Sequence, residues 1–128
     1  MKFKSFIILL LVLICLSSCV QETHIKTITF ELDARTIENM ESIGIRGNMP
    51  PLSWNENFQL TDKNGDSIYT ATMEINTAQN QLRFKFVKNA SEFELENQDN
   101  RLIPFDYKPE TILYQTKFDS TESQITKN

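Results

Sequence analysis

The segment Leu82 to Lys88 (LRFKFVK) does most to limit what this chain can fold into. Its strict alternation sets Leu82, Phe84 and Phe86 on one side and Arg83, Lys85 and Val87 on the other. That period of two belongs to a strand with one buried face. Lys26 to Leu32 (KTITFEL) repeats it, with Ile28, Phe30 and Leu32 opposed to Thr27, Thr29 and Glu31, and Glu41 to Arg46 turns Ile43 and Ile45 inward. Phe58 to Leu60, Ser67 to Ile75, Glu92 to Glu96 and Thr111 to Phe118 complete a set of seven short strand candidates. In Glu92 to Glu96 (EFELE), Phe93 and Leu95 stand opposite three glutamates, which read as a solvated face that discourages edge pairing. Thr36 to Glu41 is the one stretch suited to a helical turn. Strands this short, separated by Gly, Pro, Asn and Asp, predict an all-β fold, an antiparallel β-sandwich of about seven strands with an immunoglobulin-like layout.

The first residues obey a different rule. Lys2 and Lys4 precede an uncharged run from Phe6 to Leu16 (FIILLLVLICL), followed by Ser17, Ser18 and Cys19. A basic start, an apolar stretch and small residues before a cut make a secretory signal. Eleven residues rise only about 16 Å as a helix, short of a hydrocarbon core of about 30 Å. The cysteine directly after the small residues predicts a bacterial lipoprotein, with residues 1–18 removed and Cys19 lipidated. Residues 19–25 are then a tether, 26–118 the folded domain and 119–128 a polar, frayed tail. The expected location is the cell envelope, with the domain anchored to a membrane by its lipid, the outer membrane in a Gram-negative cell. Cys15 is discarded with the signal, so the domain has no disulfide and relies on its core.

Charge narrows the partners. The chain carries 13 basic and 17 acidic residues, and loss of Lys2 and Lys4 takes the net charge from −4 to −6. This balance argues against nucleic acid and against a basic surface for anionic lipid. Asp62-x-Asn64-x-Asp66 imitates the start of a calcium loop, but Ser67 stands where glycine is needed and Met73 where the bidentate glutamate belongs. Asn64-Gly65 suits a hairpin turn instead. His24 falls in the tether, no Ser-His-Asp or Cys-His set is available in the domain, and no metal-ligand spacing occurs. The expectation is a protein that is not an enzyme, with no cofactor and no metal.

A more specific pattern lies at Ile45-Arg46-Gly47-Asn48-Met49-Pro50-Pro51-Leu52-Ser53-Trp54. It is followed by Asp66-Ser67-Ile68-Tyr69, Phe84-Lys85-Phe86-Val87, Phe93-Glu94-Leu95-Glu96 and Asp99-Asn100-Arg101. In order and spacing these resemble the starch-binding, family-20-type carbohydrate-binding modules and the related glycogen-binding modules. The resemblance covers roughly residues 26–118. It implies a non-catalytic glucan-binding site in which Trp54 stacks on a sugar ring while Lys85 and Asn100 bond its hydroxyls. Leu95 stands where the family carries a second tryptophan, and leucine offers apolar contact without a flat platform, so Leu95 or Phe93 is expected to line the apolar side. The partner implied is a starch- or glycogen-like glycan. The alternative is an envelope protein docked on the same sandwich with no sugar bound.

Overall fold

The computed structural model describes residues 2–8 and 21–128. Residues 2–8 are helical and exposed. The cleavage site at Leu16-Ser17-Ser18-Cys19 lies outside the described residues. Among the described residues, no helix is long and apolar enough to cross a membrane.

Nine strands follow: β1 (His24–Asp33), β2 (Ile43–Gly47), β3 (Phe58–Gln59), β4 (Ile68–Thr77), β5 (Gln81–Lys88), β6 (Glu92–Phe93), β7 (Arg101–Pro104), β8 (Glu110–Lys117) and β9 (Ser123–Lys127). They form two sheets. One has the order β4-β1-β8-β9, and the other runs β3-β2-β5-β6, with β7 also paired to β5. The inward faces are those the alternation marks. Ile28, Phe30 and Leu32 meet Ile43, Ile45, Leu82, Phe84 and Phe86, all fully buried. Aromatic rings fill the centre edge to face: Phe30 lies 5.1 Å from Phe84, and Phe84 lies 5.0 Å from Tyr114. Each such ring contributes on the order of 2–3 kcal/mol through the apolar surface it removes from water.

Beyond the two additional strands, β7 and β9, the layout departs from the sequence expectations in several places. The sandwich is not wholly antiparallel, because β1 and β8 run parallel, from Lys26 beside Glu110 to Asp33 beside Lys117. The long connection through the opposite sheet gives the chain the reach that a parallel pair requires. The tail expected over residues 119–128 contains β9, which pairs with β8 from Ser123 to Lys127. The tether expected over 19–25 ends early, since β1 begins at His24. Thr36 to Glu41 holds turns and bends rather than a helix, with Asn39 at φ 55°.

Buried polar groups close the lower end of the sandwich. Lys26 and Glu110 form an ion pair at 2.9 Å with both side chains buried. The Lys26 ammonium also donates to the carbonyls of Asp106 and Lys108, and Lys127 on β9 donates to Glu110 at 3.0 Å. Burial pushes the Glu110 pKa up, but the hydrogen bonds and charges of Lys26 and Lys127 outweigh it and hold it at about 2. Between the sheets, Thr61 and Thr70 make a single two-way bridge that carries the chain from one sheet to the other. The expected hairpin at Asn64-Gly65 is thus a loop. Asp62 folds it by accepting from the amides of Gly65, Asp66 and Ser67.

Candidate functional site

Two glycines in β2 shape the outer face of the five-stranded sheet. A Cβ on Gly47 would fall 2.8 Å from Leu52 Cδ1 and 2.9 Å from the Arg83 carbonyl, so only glycine lets the following loop turn so tightly. Asn48 then extends the ladder with its side chain, since its Oδ1 accepts from the Arg83 amide at 3.0 Å. The loop folds back over the sheet. A Cβ on Gly44 would lie 2.8 Å from Asn57 Cβ, and its absence seats Asn57 on the strand.

Arg46 is the centre of this face. Its Nε donates to Asn57 Oδ1 at 2.6 Å, one terminal nitrogen donates to the Trp54 carbonyl at 3.0 Å, and the other donates to the Ala90 carbonyl at 3.0 Å. The guanidinium also lies 5.2 Å from the centre of the Phe93 ring, within cation–π range. One side chain therefore fixes the loop that bears Trp54 and packs against Phe93. Both aromatic residues remain open to solvent, Trp54 at 36% and Phe93 at 41% exposure.

Lys85 is the register partner of Arg46, so the two side chains leave the sheet on the same side. The Lys85 ammonium donates to the carbonyls of Leu95 at 3.1 Å and Gln98 at 2.9 Å. It thereby holds the connection between β6 and β7. That connection is tightly wound, with Leu95 at φ 50° and Asn97 at φ 62°.

The structure breaks the expected alternation of Glu92 to Glu96 at Phe93 and Glu94, while Glu92 and Glu96 are exposed and Leu95 is buried as expected. Only Glu92 and Phe93 are strand. Glu94 is fully buried and receives Arg101 in a two-point ion pair at 2.5 and 2.8 Å. Its carboxylate also accepts from the amides of Phe86 and Asp119. Arg101 donates further to the Tyr114 and Thr116 hydroxyls and to the Ser120 carbonyl. Burial alone would lower the Arg101 pKa, but the hydrogen bonds and charge of Glu94 leave it raised. With Glu94 turned inward, Phe93 points out to the surface and Leu95, at 4% exposure, is covered.

The four sequence candidates therefore divide. Trp54 is exposed and is linked through Arg46 to the face that Lys85 shares. Lys85 touches the loop backbone at Leu95. Leu95 is buried and offers little surface. Asn100 is exposed and lines an open cleft of about 520 Å³ between β7 and the turn before β9, together with Leu95, Gln98, Arg101, Tyr114 and Ser123. Trp54 is not among the residues lining that cleft. Arg46 and Asn57 are the residues that sequence reasoning did not place at the site, whereas Phe93 stood there as the alternative to Leu95. Among the described residues, no group of three or more His, Cys, Asp or Glu side chains is arranged to hold a metal ion.

The fold and this surface define a two-sheet β-sandwich that presents a pair of exposed aromatic residues braced by an arginine. No protein-family model matches the chain, and no curated protein matches it. Among solved structures it is similar to the CBM25-2 of the beta/alpha-amylase from Paenibacillus polymyxa, at 16% identity and a TM-score of 0.47. That likeness covers 85% of this chain and 96% of the other.

Proposed function

We propose that this chain is a non-catalytic carbohydrate-binding module, held at a bacterial membrane by a lipid on Cys19. The observation that carries the binding reading is that one side chain, Arg46, holds the backbone of exposed Trp54 and lies over the ring of exposed Phe93. Sugar rings present apolar C–H faces that pack on aromatic rings, while their hydroxyls need fixed polar partners. The surface supplies both. In this reading Phe93 takes the role of second aromatic that the sequence resemblance assigned to position 95. Lys85 positions the neighbouring loop, and Asn100 belongs to the adjoining cleft. Because Arg46 is already satisfied by three carbonyl-type acceptors, the surface is set before a ligand arrives, which lowers the ordering cost of binding.

Isothermal titration against maltoheptaose, β-cyclodextrin and a panel of envelope and plant glycans tests the reading. Binding should appear with at least one glycan and weaken about tenfold in both Trp54→Ala and Phe93→Ala, the loss of one stacking contact of roughly 1.5 kcal/mol. Silence across the panel, or binding indifferent to both substitutions, would sink it. A tethered module needs only modest affinity, since confinement to the membrane raises its effective concentration against glycan held there.

A further inference from the structure

We infer that the ligand of this surface is an anionic saccharide, one bearing carboxylate or sulfate groups; the inference rests on the carbohydrate-binding reading above. The charge arrangement carries it. Arg46 and Lys85 are cross-strand partners, and Arg83 lies two residues from Lys85 on the same side of β5. Three cations thus leave one face of a chain whose net charge is −4.

Elsewhere in the molecule five basic groups are matched with acids, while Lys63, Lys108 and Lys117 stand singly on exposed loops and strand ends. Lys26, Arg35, Lys88, Arg101 and Lys127 each have a carboxylate within 4.0 Å. Arg46, Arg83 and Lys85 have no such partner among the described residues. Neutral groups hold them instead. Arg46 is bonded by Asn57, Trp54 and Ala90, and Lys85 by the carbonyls of Leu95 and Gln98. With the Gln81 carboxamide turned so that its oxygen faces the guanidinium, Arg83 donates to it at 3.1 and 3.0 Å.

A neutral acceptor fixes a cation in place without cancelling its charge. The result is a cluster of three cations with no carboxylate in contact, beside two exposed aromatic residues. Glu56, Glu92, Glu96 and Asp99 flank the face on exposed loops and strand ends, and Glu92 is already engaged by Asn89 and Lys88. A neutral glucan gains only hydrogen bonds from these groups, whereas an anion also gains the attraction of their charge. An anionic group about 4 Å from such a cation gains roughly 1 kcal/mol in water and more where the cation is half-buried. Surrounding acidic residues restrict the favourable field to this one face, which disfavours a long polyanion such as nucleic acid.

The test uses the full-length protein in a nonionic detergent that contains no sugar. It is titrated with maltotetraose, tetragalacturonate and a chondroitin sulfate tetrasaccharide, with oligo-dT of equal charge as control. At low salt one anionic saccharide should bind about tenfold more tightly than maltotetraose and lose most of that margin when added salt screens the charges. Arg83→Gln should weaken that saccharide roughly threefold and leave maltotetraose unaffected. The carboxylated and sulfated probes distinguish which anion is read. Maltotetraose binding as tightly as both anionic sugars overturns the inference while leaving the carbohydrate reading intact. Oligo-dT binding as tightly as the best sugar, or no effect of Arg83→Gln, also overturns it. No binding by any saccharide removes both readings together.

Discussion

Acid should loosen this domain through one carboxylate. Glu110 is buried against Lys26 and Lys127, and its pKa falls from 4.5 to about 2 in the folded chain. A depressed carboxylate contributes stability in full above its unfolded value, and that stability is lost as pH falls through the folded value. The window is therefore pH 4.5 down to about 2. The size of the drop corresponds to something on the order of 3 kcal/mol, a large share of the roughly 5–15 kcal/mol that holds a domain of this size. Urea denaturation followed by Trp54 fluorescence, at several pH values from 7 to 2, measures it. Wild type should lose stability steeply below pH 4.5. Glu110→Gln should start less stable at pH 7, because Lys26 keeps only carbonyl partners, and should decline less on acidification. Asp33, held at about 2 chiefly by its hydrogen bond from Arg35, titrates in both proteins and cancels in the comparison. Equal acid slopes in the two proteins would refute the assignment.

Gly47→Ala should cost about 1–3 kcal/mol, because the added methyl meets the Arg83 carbonyl as well as a movable leucine; chemical denaturation reads this directly. Arg101→Met strands the buried Glu94 carboxylate and should cost about 3–5 kcal/mol, with part of the loss recovered when Glu94→Gln is added. In thermal melts, a double variant no more stable than Arg101→Met alone would argue against the pair. For the lipid anchor, Cys19→Ser should abolish incorporation of an alkyne fatty acid and move the protein out of the membrane fraction, and labelling that persists would exclude this site.

The alternating strands were legible because each exposes one face to water, so the pattern at Ile28, Phe30 and Leu32 or Leu82, Phe84 and Phe86 survives folding unchanged. Alternation misled where a charge is buried by pairing. Glu94 reads as solvated until Arg101, seven residues later, supplies its partner, and that single inversion brings Phe93 to the surface. The pair was present in the sequence, but the wound connection that closes it, with φ near 50° at Leu95, leaves no mark in hydrophobic periodicity. Strand β9 was invisible for another reason. It is an edge strand of mostly polar residues, held by backbone ladder bonds, the Lys127–Glu110 contact and a single apolar residue, Ile125, set against the core. The candidate site was half legible. Trp54 and Lys85 came from a motif, whereas Arg46 depends on Gly44 admitting Asn57, a relation visible only once the loop is folded over the sheet.

The parallel pairing of β1 with β8 bears on how the module carries force. A pull through the tether enters at His24, and β1 is flanked along its length by β4 on one side and β8 on the other. Such a load runs along the strand, so the ladder bonds on both sides resist together instead of opening one after another. A pull at Asn128 meets β9, which borders only β8 and is free to peel from its end. Single-molecule stretching from the two termini should find the N-terminal direction markedly stronger. In the proposed anchoring at Cys19 the load enters on a strand paired on both sides, so a bound glycan dragged by flow would strain its own contacts before it unravelled the domain.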